Sequence, residues 1–363
     1  MREVARGLSE CSEDVFVFQE VWTAEVRKIL VDGGRRAGFS HHFGPADGGG
    51  GLLIISRLPF DQPHFEQFHL TGTLGRLNRG EYLGGKGFSR VRLETEAGPV
   101  WLVNTHLHAS YRSSREFMSS AVRTAQLLQL VDSLPTSGEP VIVAGDFNCC
   151  EGDSEYLIWK ELSGMRDAAL AFDDPPVTIS TQNHYKRRIE SADRRIDYVF
   201  VQDGSRLVLE PVESKRAFAD PFDLRGRSRP ISDHFGVSLT FELQPSTSSD
   251  PGGVRRGADP QIISIARDLL EKARAEIDRE ETTHDRVAVN LAMLAGGAVL
   301  VRSNERVTRR AFLHRALGFA GLAAVGPAVA LKAITQSDAD RQRMAFTMAS
   351  ETLAKFDTPT DLG

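Results

Sequence analysis

The 363-residue sequence has few cysteines and none in a metal-binding pattern. Cys11, Cys149 and Cys150 make an odd number, two of them are adjacent, and no CxxC spacing occurs. This argues against both a disulfide framework and a structural zinc site. The N-terminal residues MREVARGLSE lack an apolar stretch, so they do not resemble a signal peptide. The formal net charge of −5 shows no excess of basic residues, which argues against nucleic acid as a partner.

The composition that is present, 41% hydrophobic and 26% charged, is ordinary for a folded protein, and the length allows one large core with an appendage. Strand, loop and helix patterns alternate over residues 1–243 and predict an α/β catalytic domain. Pro, Ser and Gly are frequent in residues 244–260, which predicts a linker. Residues 261–363 are predicted to form a helical tail.

The interpretation of the whole sequence starts from the stretch VIVAGDFN, Val141–Asn148. Its four apolar residues, bounded by Pro140 and Gly145, predict a short buried strand. Asp146 and Asn148 follow with one residue between them, and residues two apart in an extended tip point to the same side. A turn that uses Asp and Asn only for its backbone geometry is the alternative interpretation.

Other polar side chains stand at the ends of predicted strands: Glu20, His106, Asp197, Asp233 and His234. Taken singly, each has an ordinary structural explanation, and His108 is predicted to be structural. Taken together, carboxylates with an amide suit Mg²⁺, with Mn²⁺ as the alternative ion, and do not suit zinc. Histidines beside such an ion suit phosphate-ester hydrolysis, since one imidazole can deprotonate water and another can donate to a phosphate oxygen.

Five segments in order, VFQE, NTHLH, GDFN, RRIDYVF and SDH, resemble the endonuclease/exonuclease/phosphatase superfamily, which has the DNase I-like fold. They span residues 10–243. The continuation NTHLHASY, the GGKG at 84–87 and the pair Asn183-x-Tyr185 are similar to the neutral sphingomyelinase branch. The resemblance implies an α/β, four-layer sandwich of two mixed β-sheets flanked by helices, followed by a C-terminal helical hairpin. Members begin with a strand that ends in an active-site Asn, and we expect that strand to be missing here.

The resemblance also implies a metal site and a catalytic base. Glu20 is expected to be the principal Mg²⁺ ligand, with Asp233 near the metal. His234 is expected to be the general base on water, and Asp197 is expected to orient it.

For the remaining positions, the resemblance implies contacts to the nucleophile and the phosphate. Asp146 and Asn148 are expected to position both of them. His106 is expected to stabilise the developing phosphorane-like charge, and Lys86 to contact the phosphate or gate the substrate.

The activity implied by the resemblance is Mg²⁺-dependent cleavage of sphingomyelin to ceramide and phosphocholine at a membrane surface. Two alternatives remain open at this point. One is a nuclease or phosphoinositide phosphatase on the same fold. The other is an inactive membrane-associated homologue, because the first strand and its Asn are expected to be missing. The oligomeric state is left open.

The tail contains a charged amphipathic segment, Gln261–Glu281, with Ile262, Ile265, Leu269 and Leu270 predicted near one apolar stripe. Two apolar segments follow, Val287–Val301 and Ala316–Leu331, separated by an arginine-rich turn. Each is shorter than a bilayer core of roughly 30 Å requires. A short membrane hairpin is the preferred interpretation and predicts a membrane-associated protein. A soluble helical hairpin and a targeting-like twin-arginine segment around Arg309-Arg310 are the alternatives.

Overall fold

The structure, a computed structural model, describes residues 1–71, 85–110, 116–186, 190, 192–223, 226–246, 258–302, 333 and 336–357. It describes the backbone but not the side chains of residues 46–48 and 284–302. Gly84 of the GGKG segment, most of the predicted linker, the arginine-rich turn beyond Arg302 and the segment Ala316–Leu331 therefore lie outside the described residues.

The N-terminal part forms an antiparallel sheet of three strands, β1 (Val15–Phe18), β2 (His41–Phe43) and β3 (Leu53–Ser56), in the order β1-β3-β2. Helices α1 (Arg2–Gly7) and α2 (Ala24–Arg36) bury apolar side chains against one face of this sheet. The four residues of β3 are buried, because helices cover one face of the strand and a second sheet covers the other.

That second sheet has six strands: β4 (Phe60–Gln67), β5 (Gly87–Thr95), β6 (Gly98–His106), β7 (Val141–Asp146), β8 (Arg166–Asp167) and β9 (Asp197–Gln202). Their order is β4-β5-β6-β7-β9-β8. Only the β6–β7 pair is parallel among the pairs of this sheet, so the sheet is mixed. The parallel pair brings the carboxyl ends of two successive strands to the same edge.

Four further strands follow: β10 (Leu207–Ala217), β11 (Phe222–Asp223), β12 (Ser228–Arg229) and β13 (Gly236–Pro245). β10 pairs with β13, and β11 pairs with β12. Leu209 of β10 and Leu239 of β13 pack against Val201 of the six-stranded sheet, while Ile54 of β3 packs against Val91 on the same sheet. The second layer of the sandwich therefore consists of separate antiparallel sheets on one face of the mixed sheet.

Helices α3 (Glu116–Asp132) and α4 (Ser154–Ser163) cover the opposite face of the six-stranded sheet. Aromatic rings fill the space beneath α4, where the ring of Phe147 lies 5.5 Å from that of Trp159 and 5.0 Å from that of Phe200. Together with the helices on the other side, this gives the four-layer α/β sandwich that the sequence predicts.

Two helices of the predicted tail join this core. α5 (Pro260–Arg302) packs on α3 and α4, and α6 (residues 336–354) packs with it. Leu270, Ala273 and Phe346 are fully buried in the same apolar cluster as the residues of α3. Among the described residues, we find no helix that combines the length and the apolarity needed to cross a bilayer. The predicted membrane hairpin stays a prediction.

Candidate active site

Strand register places three of the predicted site residues in one row at the edge of the six-stranded sheet. His106 is opposite Asp146 across β6 and β7, and Asp146 is opposite Asp197 across β7 and β9. Adjacent strands are about 4.8 Å apart, so the backbone alone brings these three residues within about 10 Å. The pairing confirms the predicted strand that begins at Val141 and extends it to Asp146.

The approach of β6 and β7 at this edge depends on a glycine. Gly145 has a φ of +151°, and a Cβ atom added there would lie 1.9 Å from the carbonyl oxygen of Thr105. Only glycine fits between the two strands at this point, and it sets the position of Asp146.

Asp146 and Asn148 interact directly. The Asn148 backbone N–H donates to Asp146 Oδ1 (2.8 Å), and Asn148 Nδ2 donates to Asp146 Oδ2 (3.2 Å) and to the carbonyl of Leu107 (3.0 Å). Asn148 adopts a φ of +53°, which is uncommon for a residue other than glycine. Burial would raise the pKa of Asp146, but His106, His234 and Lys86 outweigh it and hold that pKa well below its usual range. Asp146 is therefore ionised.

His234 and Asp197 form a hydrogen-bonded pair, with His234 Nδ1 3.0 Å from Asp197 Oδ2. Burial would lower the pKa of His234, but the carboxylates of Asp197, Asp146 and Asp233 outweigh it and raise the pKa to about 10. Burial, together with the nearby Asp146, raises the pKa of Asp197. The pairing through Nδ1 leaves Nε2 of His234 as the nitrogen available to a substrate or a water molecule.

Thr178 holds this pair in place, and the sequence predictions do not include it. Its hydroxyl accepts hydrogen bonds from the backbone N–H groups of Ile196 (3.2 Å) and Asp197 (3.4 Å), while its carbonyl accepts one from Phe235 (2.8 Å). One fully buried threonine thus links the chain segments that carry Asp197 and His234. In the sequence, Thr178 was visible only as part of a loop rich in Thr, Asn and His, residues 177–185.

We expect Thr178→Val to lower kcat about 10- to 100-fold, because small displacements of catalytic groups have effects of that size. The free energy of unfolding should fall by only about 1–2 kcal/mol, the contribution of the lost hydrogen bonds. Activity across pH 5–10 is the measurement, since a displaced His–Asp pair also shifts the pH profile. Thr181→Val is the control, because the Thr181 hydroxyl bonds Asp193 instead. Equal activity and equal pH profiles for the two variants would contradict the positioning role.

Lys86 lies beside His106, at one end of this row. Lys86 is 4% exposed and His106 is 2% exposed. Lys86 Nζ donates to the carbonyl of Leu107 (2.7 Å) and lies 3.0 Å from His106 Nε2, which is 3.4 Å from Asp146 Oδ2. These contacts connect Lys86 to the site through His106. The predicted phosphate contacts of Lys86 and His106 stay predictions.

His108 is 6% exposed, and its backbone N–H donates to Gln126 Oε1 on α3 (2.8 Å). Gln126 Nε2 in turn donates to the carbonyl of Leu70 (2.8 Å). Both contacts join the turn after β6 to the surrounding core. The predicted structural role of the His108 side chain stays a prediction.

The two predicted metal ligands stand apart from the buried row. Glu20 is exposed, with a φ of +61°, at the end of β1. Its neighbour Gln19 donates to Asn104 Oδ1 of β6 (2.7 Å), which places the end of β1 at the same edge as the row. Asp233 is exposed, and its Oδ2 lies 2.9 Å from Lys186 Nζ, an ion pair that the sequence predictions missed. Burial would raise the pKa of Asp233, but Lys186 and His234 lower it.

A divalent cation fits this donor set. Ligand atoms of Asp146, Asp197 and His234 lie within 4.8 Å of one another, so these three side chains could share one cation. Glu20 and Asp233 are not in that group. Carboxylate oxygens suit a hard divalent ion such as Mg²⁺, without selecting it over Mn²⁺.

Comparisons with known proteins identify a matching family and sequence relatives. Residues 1–234 match the model of the Endonuclease/Exonuclease/phosphatase family. The chain is 27% identical over 253 residues to a putative neutral sphingomyelinase of Drosophila melanogaster, an alignment that covers 67% of this chain and 56% of that protein. It is 26% identical over 281 residues to an inositol phosphosphingolipids phospholipase C of Schizosaccharomyces pombe, covering 68% and 64%. The chain therefore spans between about half and two thirds of the length of these relatives.

The fold also matches a solved structure. A beta toxin variant from Staphylococcus aureus with bound magnesium ions superposes with a TM-score of 0.51 at 18% identity, covering 66% of this chain and 91% of that one. At this level of identity the likeness concerns the fold. It confirms the predicted DNase I-like architecture.

Proposed function

Because this chain belongs to the Endonuclease/Exonuclease/phosphatase family, we propose that it is a sphingolipid phosphodiesterase that cleaves sphingomyelin to ceramide and phosphocholine. The observation that carries the proposal is the His234–Asp197 pair, which stands next to the ionised Asp146 at one sheet edge. The names of the two sphingolipid-cleaving relatives support the choice of substrate. The substrate would be met at a membrane surface.

In the proposed reaction, Nε2 of His234 takes a proton from a water molecule whose oxygen attacks phosphorus. The bond between phosphorus and the ceramide oxygen breaks, and that oxygen is protonated as ceramide leaves. Asp197, bonded to Nδ1, holds the imidazole ring and stabilises its positive charge. Asn148 fixes the Asp146 carboxylate through two hydrogen bonds, so that the carboxylate does not reorganise during the reaction.

Glu20 and Asp233 remain the proposed ligands of the divalent ion because the family resemblance implies them, although the ligand atoms that lie within 4.8 Å of one another are those of Asp146, Asp197 and His234. When bound, such an ion would offset the carboxylate charge that keeps His234 protonated and would neutralise charge on the phosphate. A His234 pKa of about 10 is too high for a base at neutral pH, so the proposal requires this positive charge.

The test is release of phosphocholine from sphingomyelin in mixed micelles. We expect release with Mg²⁺, a loss of at least about 100-fold in EDTA, and recovery when Mg²⁺ is added in excess, because an ion of this kind supplies several kcal/mol of barrier reduction. Mn²⁺ is tested in parallel. His234→Ala protein, purified in the same way, measures contaminating activity. Release that is unchanged in EDTA would overturn the metal requirement. Plasmid nicking or phosphate release from phosphoinositides, without phosphocholine release, would overturn the substrate.

A further inference from the structure

A second concave surface lies on the outer layer, between α2 and the edge strand β2. This groove has a volume of about 660 Å³. Its lining includes Trp22, Arg27, Lys28, Asp32, Arg35 and His42. It shares no lining residue with the row at the sheet edge. Trp22 at its rim is only two residues from Glu20 and is 39% exposed.

Positive charge predominates in the groove. Asp32 is the one acidic residue among its lining residues, and it is already paired with Lys28 at 2.5 Å. Among the described residues, neither Arg27 nor Arg35 forms an ion pair with a carboxylate, so positive charge exceeds negative charge in the lining. The positive charge of the groove also acts on His42: burial, Arg35 and Arg27 lower the pKa of its side chain. The groove has the electrostatic character of an anion site.

Hydrogen-bond donors are also left over in the groove. Arg27 Nη1 makes one long bond to the carbonyl of Gly44 (3.4 Å), whereas its Nε is buried and has no acceptor among the described residues. A guanidinium carries several N–H donors and Arg27 makes one long bond, so its Nη groups can donate to an anionic oxygen in the groove. Guanidinium groups are well suited to phosphate because they present paired donors.

We propose that this groove binds the phosphate of an anionic phospholipid headgroup and holds the sheet edge with Glu20 against the membrane. The choice of a lipid over free phosphate rests on the proposed function, which places the substrate in a membrane. Trp22 supports the choice independently, because tryptophan favours the interface between lipid and water. Its indole ring packs over Gly51, where an added Cβ would lie 2.8 Å from the ring. The aromatic rim and the basic groove thus occupy adjacent positions.

The experiment measures co-sedimentation of the full chain with vesicles of phosphatidylcholine, with and without 30 mol% phosphatidylglycerol (about one lipid in three), in the absence of sphingomyelin. We expect the anionic vesicles to bind more tightly. Arg27→Gln and Arg35→Gln should each weaken that binding about fivefold, and the double variant about 25-fold, since each basic residue near an anionic surface contributes about that factor. Arg36→Gln is the matched control, because Arg36 is exposed on the same helix but does not line the groove.

The outcomes separate this proposal from the proposed function. His234→Ala should bind vesicles like the unaltered chain even though it would not hydrolyse lipid. Equal vesicle binding by the double variant and the unaltered chain would overturn the proposed role of the groove. So would a loss of binding in Arg36→Gln as large as that in Arg27→Gln or Arg35→Gln. Binding of low-millimolar inorganic phosphate by calorimetry, together with equal binding to vesicles with and without phosphatidylglycerol, would identify a free-phosphate site and overturn the lipid assignment.

Discussion

His234→Ala is expected to lower kcat/KM for sphingomyelin by at least about 10³-fold, since a general base typically contributes about 10²–10⁴ and this one also loses its partner Asp197. Asp197→Asn should produce a loss of similar order with the imidazole still present. Phosphocholine release under saturating Mg²⁺ is the measurement. The free energy of unfolding should also fall, because Asp197 loses its hydrogen-bonded partner, so the fold of the variant is checked by circular dichroism.

His64→Ala is the matched control for this prediction. His64 lies on β4 with about half of its side chain exposed, and it faces Glu66 instead of the row at the sheet edge. We expect this control to keep full activity. Retention of more than about a tenth of the activity in His234→Ala would exclude this residue as the base.

Gly145→Ala is expected to be the most destabilising single substitution at the site, at more than about 4 kcal/mol. Its Cβ would meet backbone atoms of the neighbouring strand, with the Thr105 oxygen at 1.9 Å and the Thr105 carbonyl carbon at 2.9 Å. Backbone cannot rotate aside as a side chain can, so β6 and β7 would have to separate. The measurement is the midpoint of urea unfolding, or the soluble fraction on expression if the protein does not accumulate.

Gly98→Ala separates the cost of the steric clash at residue 145 from the cost of backbone strain. Gly98 has a φ of +133°, close to that of Gly145, but an added Cβ would meet nothing within 4 Å. Strain alone should cost about 1–3 kcal/mol. If the two variants unfolded within about 1 kcal/mol of each other, the close approach of Thr105 would not be the reason for a glycine at 145.

Local patterns predicted the elements around the site because each depends on neighbouring residues. The apolar run before Gly145 defined β7, and the spacing of Asp146 and Asn148 predicted two side chains that the structure joins by a hydrogen bond. The positive φ of Glu20 had no sequence signal, whereas Asn148 is of a residue type that tolerates this conformation. Such conformations are imposed by surrounding structure, which a local pattern does not contain.

Contacts between distant segments were harder to predict. Thr178 acts through hydrogen bonds to backbone groups, and any small hydroxyl residue in that loop would have looked the same in the sequence. Lys186 was missed because its partner, Asp233, is far away in the chain. The family resemblance predicted that Asp197 and His234 lie together. The hydrophobic periodicity of the sequence contains no such information.

The tail shows a different kind of error. The predicted apolar stripe of Gln261–Glu281 includes Ile265, which is 37% exposed in the structure. The buried positions are Ile263, Ala266, Leu270, Ala273 and Ile277. The sequence prediction left the alanines out of the stripe. Small side chains let helices approach closely, and Ala266 and Ala273 lie on the buried face of α5. The predicted stripe was therefore wrong at Ile265, whereas Leu270 is buried and Ile262 and Leu269 pack against the same cluster.

The way α6 is held has a consequence for limited proteolysis. Phe346, fully buried, and Leu353, 2% exposed, anchor this helix in the core shared with α3, and Arg343 pairs with Asp278 of α5 at 2.8 Å. A cut between residues 303 and 335 would sever the covalent connection and leave these interactions in place. The two fragments would remain one particle under native conditions and separate only in denaturant.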